Sequence, residues 1–420
     1  MTGTAADCLE LARRARAAAR RLATSDAQAR DAWLRLCAER LTARRDDVLA
    51  ANEADLARAP GFGLSDAQLD RLRLTPARLE DAAAALRQVA SLPDPLGRSL
   101  GGSVRPNGLE VRKVAVPIGV ILFLYESRPN VTADAAALCV KSGNAVLLRG
   151  GKEAASTNEA LFRVMSEALP ECGLPADAVQ LVSFPGREAV GHLLKLGEVI
   201  DLCIPRGGEG LIRRVVEEAR MPVLKHYRGL CHVFVERTAD LAVAVRVVAN
   251  AKAQRPGVCN AAECLLVDAP IAEAFLPMAA AELLRRGVEL RGCEATCRLV
   301  PQARRASPVD YDTEFLALTL SVRVVDGMEE ALEHIAAHGS GHTDAILTRD
   351  LASARRFTAE VDSAAVMVNA STRFNDGGEL GMGAEVGIST DKLHARGPCG
   401  LEELTTYKYI VYGEGQVRGE

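Results

Sequence analysis

The chain has 420 residues, of which 48% are hydrophobic and 25% charged, and its formal net charge is −4. That length predicts two or three domains, and that composition predicts a folded soluble chain instead of a disordered one. The small net charge and the 4% aromatic content argue against nucleic acid, an anionic membrane surface or a base-stacking platform as partner.

The opening residues, Met1-Thr-Gly-Thr-Ala-Ala-Asp7, lack the basic-then-apolar pattern of a secretory signal. Eleven cysteines without such a signal predict reduced thiols and a cytoplasmic location. From residue 4 to 57 apolar positions recur every three or four, as on amphipathic helices. Ser65-Asp-Ala-Gln68 reads as a capping box and Thr75-Pro76 as a cap with proline in the first turn, which predicts that roughly the first 90 residues are helical. Gly101-Gly102-Ser103 and Pro106-Asn107-Gly108 then bracket short alternating stretches. They predict a hairpin arm over 101–113, open to reading as an oligomer contact or as an ordinary surface hairpin.

Beyond the arm, short apolar runs alternate with helical patterns. The runs are Val114–Tyr125, Ala145–Leu148, Val179–Phe184, Val199–Ile204 and Cys231–Val235, with helices expected near 132–142, 153–169, 187–196 and 208–220. This rhythm predicts a mostly parallel sheet covered on both faces. The longest run, Val114–Tyr125, is too short to span a bilayer and reads as one buried strand interrupted by Pro117 and Gly119. Gly381-Met-Gly383-Ala-Glu-Val-Gly387 has the wrong spacing for the G-x-G-x-x-G dinucleotide fingerprint. A second alternating region holds Cys264–Val267, Val322–Val325, Ala345–Thr348 and Ala364–Val368, with helices over Ile271–Arg286, Met328–His338 and Leu351–Val361. Thr405–Tyr412 is a terminal strand that has either the arm or another subunit as its partner. Cys293 and Cys297 are the closest cysteine pair, but no second pair or histidine cluster nearby completes a zinc site, so no metal is expected.

Between the two regions lies Arg255-Pro-Gly-Val-Cys259-Asn-Ala-Ala-Glu263. A helical pattern, Asp240–Ala253, runs in, and Pro256 and Gly257 break it, which places Cys259 on a tight loop at the junction of two domains. Backbone N–H groups at a helix start there would depress the thiol pKa and bind a developing oxyanion. A single cysteine is more often a small buried hydrophobe, so the loop alone does not decide the matter.

Five blocks carry a resemblance: Tyr125-Glu-Ser-Arg-Pro-Asn-Val131, Arg255–Asn260, Val368-Asn-Ala-Ser-Thr-Arg373, His394-Ala-Arg-Gly-Pro398 and Leu404-Thr-Thr-Tyr-Lys408. In order and spacing the chain resembles the gamma-glutamyl phosphate reductases of the aldehyde dehydrogenase superfamily. The resemblance implies an aldehyde dehydrogenase-like α/β fold, with two α/β domains of mostly parallel sheets plus a small β oligomerisation flap. It assigns 1–100 and 114–252 to an NADP-binding domain, 253–390 to a catalytic domain, and 101–113 with 398–420 to the flap. It implies NADPH-dependent reduction of L-glutamyl 5-phosphate to L-glutamate 5-semialdehyde, with phosphate release, in proline biosynthesis. Cys259 would carry a thioester, and Asn130 with the Cys259 N–H would form the oxyanion hole; by local chemistry alone Asn130 reads as a turn residue after Pro129.

For the cofactor, the resemblance points to Arg149 and Lys152 near the adenosine ribose, Arg206, Gly207 and Gly208 near the pyrophosphate, and Glu314 at the nicotinamide ribose. For the doubly charged substrate it offers Arg128, Ser371, Thr372, Arg373, His394 and Arg396. Hydrolytic relatives carry a water-activating Glu where this chain has His226-Tyr-Arg-Gly-Leu-Cys-His232, with Tyr227 near that position, which favours a reductase. The partners implied are a small-molecule substrate, a homo-oligomer of two or four copies, and functional coupling to a glutamate kinase. A hydrolytic NAD(P)-dependent aldehyde dehydrogenase and a catalytically silent binding protein are the alternatives.

Overall fold

The computed structural model describes residues 4–184, 186 and 188–418. It divides into two compact units, one built from Met1–Lys225, Gly381–Gly387 and Cys399–Glu420, the other from His226–Leu380 and Ile388–Pro398.

The first unit opens with five helices: α1 (Ala5–Leu22), α2 (Ala27–Ala43), α3 (Arg45–Arg58), α4 (Asp66–Leu72) and α5 (Pro76–Ser91). Their starts are fixed by side chains that satisfy first-turn N–H groups. Thr4, Asp26, Ser65 and Thr75 all accept such bonds, the last two as the cap signals predict. On α1 the buried face, Leu11, Ala12, Ala15, Ala18, Ala19 and Leu22, keeps the helical period and packs on the sheet that follows. Trp33 of α2 is fully buried and donates its indole N–H to the Met165 carbonyl at 2.9 Å.

Next come β1 (Ser99–Val104), β2 (Glu110–Pro117), β3 (Val120–Tyr125), α6 (Asn130–Lys141), β4 (Ala145–Arg149), α7 (Ala155–Glu171), β5 (Val179–Leu181), α8 (Glu188–Leu194), β6 (Leu202–Arg206) and α9 (Glu209–Glu218). Strands β5, β4, β3 and β6 lie side by side in that order, all parallel. All six residues of β3 are buried, which accounts for its unbroken apolar run.

The single strand expected over Val114–Tyr125 is two strands. Val114–Pro117 closes β2, and the chain turns at Gly119, whose φ of 134° no side chain adopts easily. There Gly119 N–H donates to Asn144 Oδ1 at 2.7 Å. Strands β1 and β2 form the predicted arm, extended to residue 117, and the terminal strand Thr405–Tyr412 pairs antiparallel with β2 from Glu110 to Pro117. Its Tyr407, Tyr409, Val411 and Tyr412 are exposed.

The second unit contains β7 (Cys231–Val235), α10 (Leu241–Ala253), β8 (Ala262–Asp268), α11 (Ala269–Arg285), β9 (Glu289–Gly292), α12 (Glu294–Leu299), β10 (Arg304–Arg305), β11 (Thr319–Val325), α13 (Gly327–His338), β12 (Thr343–Leu347), α14 (Leu351–Glu360) and β13 (Ala365–Val368). Its sheet runs β10-β9-β11-β8-β7-β12-β13, parallel throughout. One core joins α10 and α11 to one face, and a smaller one holds Phe234, Tyr311, Ile335 and Phe357 on the other. The domain boundary expected between 252 and 253 therefore moves to 225/226. Strand β7 is hydrogen-bonded on both edges to β8 and β12, so it cannot belong to the first sheet. The arm and the terminal strand cluster with the first unit. Among the described residues no helix is long and apolar enough to cross a membrane.

Candidate active site

The loop that bears Cys259 is held at both ends. Lys252, in the last turn of α10, and Glu263, in β8, are buried and pair at 2.6 Å. Burial pushes the Lys252 ammonium down and raises the Glu263 carboxyl to about 7, each against the pull of its partner. Glu263 Oε1 also accepts from Leu316 N–H at 3.2 Å, which ties in the segment that carries Glu314 and Phe315. Between these anchors the backbone of Cys259 lies directly on Gly229. A Cβ on Gly229 would fall 2.6 and 2.7 Å from the carbonyl carbon and Cα of Cys259 and still nearer its oxygen. The Cys231 thiol donates to that same carbonyl at 3.2 Å.

Cys259 does not stand at a helix start. Residues 256–261 form turns that lead into a strand, so no run of N-terminal helix amides faces the sulfur. Two imidazoles act in their place. The thiol is half-buried, and burial alone would raise its pKa, but His342 and His226 lie against it and hold it well below the usual thiol value. Their own second nitrogens are engaged: His226 Nδ1 lies 2.7 Å from the Ile388 carbonyl, and His342 Nδ1 lies 2.8 Å from Thr343 Oγ1. The two rings meet edge to face at 5.2 Å. Neither histidine figures among the sequence candidates. The only signal was a histidine opening the block that replaces the hydrolytic Glu, and another immediately before β12.

Glu314 sits in the same neighbourhood. It accepts from Gly229 N–H at 2.9 Å, and burial, reinforced by the Cys259 charge, raises its pKa. A carboxylate therefore does lie within the field of the sulfur, supplied from a segment other than His226–His232.

Of the other predicted residues in this unit, the Ser371–Arg373 group meets the cysteine loop. Arg373 donates through Nη1 to Asn260 Oδ1 and through Nε to Gln254 Oε1 at 2.8 Å, and burial lowers its pKa while the Cys259 charge raises it. Asn260 returns a bond from Nδ2 to the Asn375 carbonyl at 3.0 Å, and Asn375 Nδ2 donates to Thr343 Oγ1 at 2.7 Å. Ser371 caps this turn, accepting from Arg373 N–H, and Thr372 Oγ1 is buried without a hydrogen-bond partner. Arg396 is committed elsewhere, donating to Asp362 Oδ1 and to the Asp362 carbonyl, both at 2.7 Å. His394 is exposed, with a left-handed φ of 69°.

The remaining candidates belong to the first unit. Asn130, at the start of α6, donates from Nδ2 to Asp134 Oδ2 at 2.9 Å, and burial raises Asp134 to about 6 despite that bond and the nearby Arg206. Arg128 lies in the turn before α6, where its carbonyl accepts from Val131 N–H. Arg149 ends β4. It donates to the Gly150 carbonyl at 3.0 Å and the Gly186 carbonyl at 3.3 Å, burial lowers its pKa, and its Nε is buried without a partner. Lys152 is exposed, with its ammonium 5.1 Å from the Phe62 ring centre. Arg206 ends β6, and Gly207 and Gly208 lead into α9. Gly208 N–H already donates to Glu126 Oε2 at 2.9 Å, and a Cβ on Gly207 would stand 2.6 Å from the same oxygen.

Comparison with known proteins converges. The family model described as "Aldehyde dehydrogenase family" matches residues 1–291. A gamma-glutamyl phosphate reductase from Rhodopirellula baltica is 56% identical over 415 residues, 99% of this chain and 96% of that one. One from Sorangium cellulosum is 57% identical over 413 residues, 97% of each chain. The crystal structure of the gamma-glutamyl phosphate reductase from Thermotoga maritima, 45% identical, superposes with a TM-score of 0.95 over 98% of this chain and 99% of that one.

Because the Cys259 backbone rests on Gly229, Gly229→Ala is expected to shift the sulfur. A displacement of about 1 Å at a reacting atom costs on the order of 10²-fold in rate. Turnover of the folded variant should fall by about that factor, and the melting temperature should drop as well, since the backbone clash overpacks a buried site; unchanged turnover would detach the Gly229 contact from the chemistry.

Proposed function

The chain belongs to the aldehyde dehydrogenase family and, within it, to the gamma-glutamyl phosphate reductases, and from that premise we propose that it reduces L-glutamyl 5-phosphate to L-glutamate 5-semialdehyde with release of phosphate. This is a reductive step of proline biosynthesis. The observation that supports it best is the half-buried Cys259 sulfur flanked by His342 and His226, which keep it in the nucleophilic form.

The Cys259 thiolate attacks the carbonyl of the acyl phosphate. A carbon–sulfur bond forms, the carbon–oxygen bond to phosphorus breaks, and phosphate leaves with its electron pair, so that the acyl group rests on sulfur as a thioester. When bound, the nicotinamide cofactor supplies hydride for that acyl group, which a thioester accepts far more readily than a carboxylate. The flanking His342 and His226 favour the sulfur as thiolate at both ends of the sequence, before attack and when it departs. Asn130 and the Cys259 N–H serve as oxyanion donors in this reading. Losing one such donor typically costs ~10²–10³ in turnover. The Asn130 amide would have to exchange its Asp134 partner for the developing oxyanion.

The cofactor is a nicotinamide dinucleotide, and we assign it as NADPH. Arg149 supports that choice, because a half-buried guanidinium with an unpartnered Nε is suited to a 2′-phosphate. Gly208 N–H, engaged by Glu126, is less free for a pyrophosphate than its helix-start position suggests. Glu314, held by Gly229, is assigned to the nicotinamide ribose. Ser371, Arg373 and the unpartnered Thr372 hydroxyl are assigned to the substrate, with Arg128 as a further cation and His394 and Arg396 as outer contributors. The exposed tyrosines of the terminal strand support a homo-oligomer built through the arm. A kinase acting on the side-chain carboxylate of glutamate must supply so reactive a substrate.

Assayed in reverse, with semialdehyde and NADP⁺, the enzyme should form NADPH only when phosphate is present, and Cys259→Ala should abolish the reaction. Phosphate-independent carboxylate formation would identify a hydrolytic aldehyde dehydrogenase instead. Arg149→Ala is expected to raise the KM for NADPH about tenfold or more, as loss of one charge-assisted contact of 1.5–3 kcal/mol implies, and to leave the KM for NADH nearly unchanged. Equal effects on the two would remove Arg149 from the 2′-phosphate.

A further inference from the structure

Two groups of soft metal donors gather in the second unit. One is His226, Cys259 and His342, the other His232, Cys264 and His334, and within each group one donor atom per residue lies within 4.8 Å of the others. They differ in burial. All three residues of the second group are buried, whereas Cys259 and His226 of the first are only half-buried.

The first group is also pre-arranged as a ligand set. His226 Nδ1 is fixed by the Ile388 carbonyl at 2.7 Å, and a backbone carbonyl in that position is a common support for a metal-bound imidazole that ligates through its other nitrogen. His342 engages Nδ1 with Thr343 Oγ1 at 2.8 Å, and its Nε2 is fully buried with no hydrogen-bond partner. A buried ring nitrogen left unpaired is costly, and a cation would satisfy it. Tetrahedral Zn²⁺ with N and S ligands at ~2.0–2.3 Å needs donors about 3.5 Å apart, so a contraction of roughly 1 Å closes the set. Three protein donors and one open position for water complete the coordination that accessible zinc sites use.

We propose that His226, Cys259 and His342 form a reversible Zn²⁺ site that caps the nucleophile, so that zinc inhibits the enzyme by occupying the sulfur. The inhibition rests on the role of Cys259 given above; the binding does not. Zinc and substrate then compete for one atom, and a chelator restores activity.

The test uses Co²⁺ as a spectroscopic stand-in and zinc itself on the full-length, reduced protein. Wild type should take up one equivalent of Co²⁺ with a thiolate-to-cobalt charge-transfer band, and zinc should displace it. The band should vanish in Cys259→Ser and persist in Cys264→Ser. His342→Gln should weaken zinc by about 100-fold or more, because loss of an outer-shell partner alone costs up to that factor. Zinc should also protect Cys259 from iodoacetamide until EDTA is added. A band that survives Cys259→Ser, or disappears in Cys264→Ser, would place the ion in the buried group and overturn the proposal, as would no uptake by wild type. Loss of the Cys259-dependent band together with normal phosphate-dependent turnover in Cys259→Ser would sink the catalytic reading while leaving the metal site standing.

Discussion

Burial and charge oppose each other at one sulfur atom, and much of the second unit is arranged to decide that contest. Removing a thiol from water favours its neutral form, as it does for Cys139, Cys203 and Cys231, all of which burial pushes up. Cys259 goes the other way because two imidazoles face it. Both come from segments distant in sequence, one just before β12 and one ahead of β7, so the parallel pairing of those two strands is what assembles the pair. Topology here sets electrostatics.

The same logic explains the buried Lys252–Glu263 pair. An isolated charge in such a place would be untenable, and removing one partner of a buried pair typically costs about 3–5 kcal/mol. Set at the two ends of the cysteine loop, the pair fixes where α10 stops and β8 begins. Gly229 then limits the approach from beneath, and the Arg373–Asn260–Asn375–Thr343 chain of hydrogen bonds links the loop to the His342 strand. The substrate candidates Ser371–Arg373 thus share a rigid frame with the nucleophile, the condition under which a bound acyl phosphate meets the sulfur in a reactive pose.

The alternation of apolar runs and helical patterns was enough to read two parallel α/β layers, and the cap residues Ser65 and Thr75 located helix starts closely. Where the reading slipped, a local signal was overridden by pairing. Val114–Tyr125 is one apolar run to the eye, yet Val114–Pro117 pairs with the terminal strand and Val120–Tyr125 with β4 and β6. Strand β7 looks like the last member of the first series, and only its hydrogen-bond partners move it to the second sheet. Cys259 stood out because Pro256 and Gly257 mark its loop. His342 did not, since nothing in Gly341-His342-Thr343 announces a ring that crosses to a thiol. Arg396, attractive in its block, is bound to Asp362, a partner that sequence spacing could not reveal.

If His342 and His226 outweigh its burial, Cys259 is a thiolate at neutral pH. Site-resolved iodoacetamide alkylation of Cys259 across pH, followed by peptide mass spectrometry, tests it directly. A depressed pKa predicts a rate already near its plateau at pH 7 that falls only in acid, with His342→Gln moving the inflection upward. A Cys259 rate that keeps climbing through pH 8–9, as for an ordinary thiol, would contradict it.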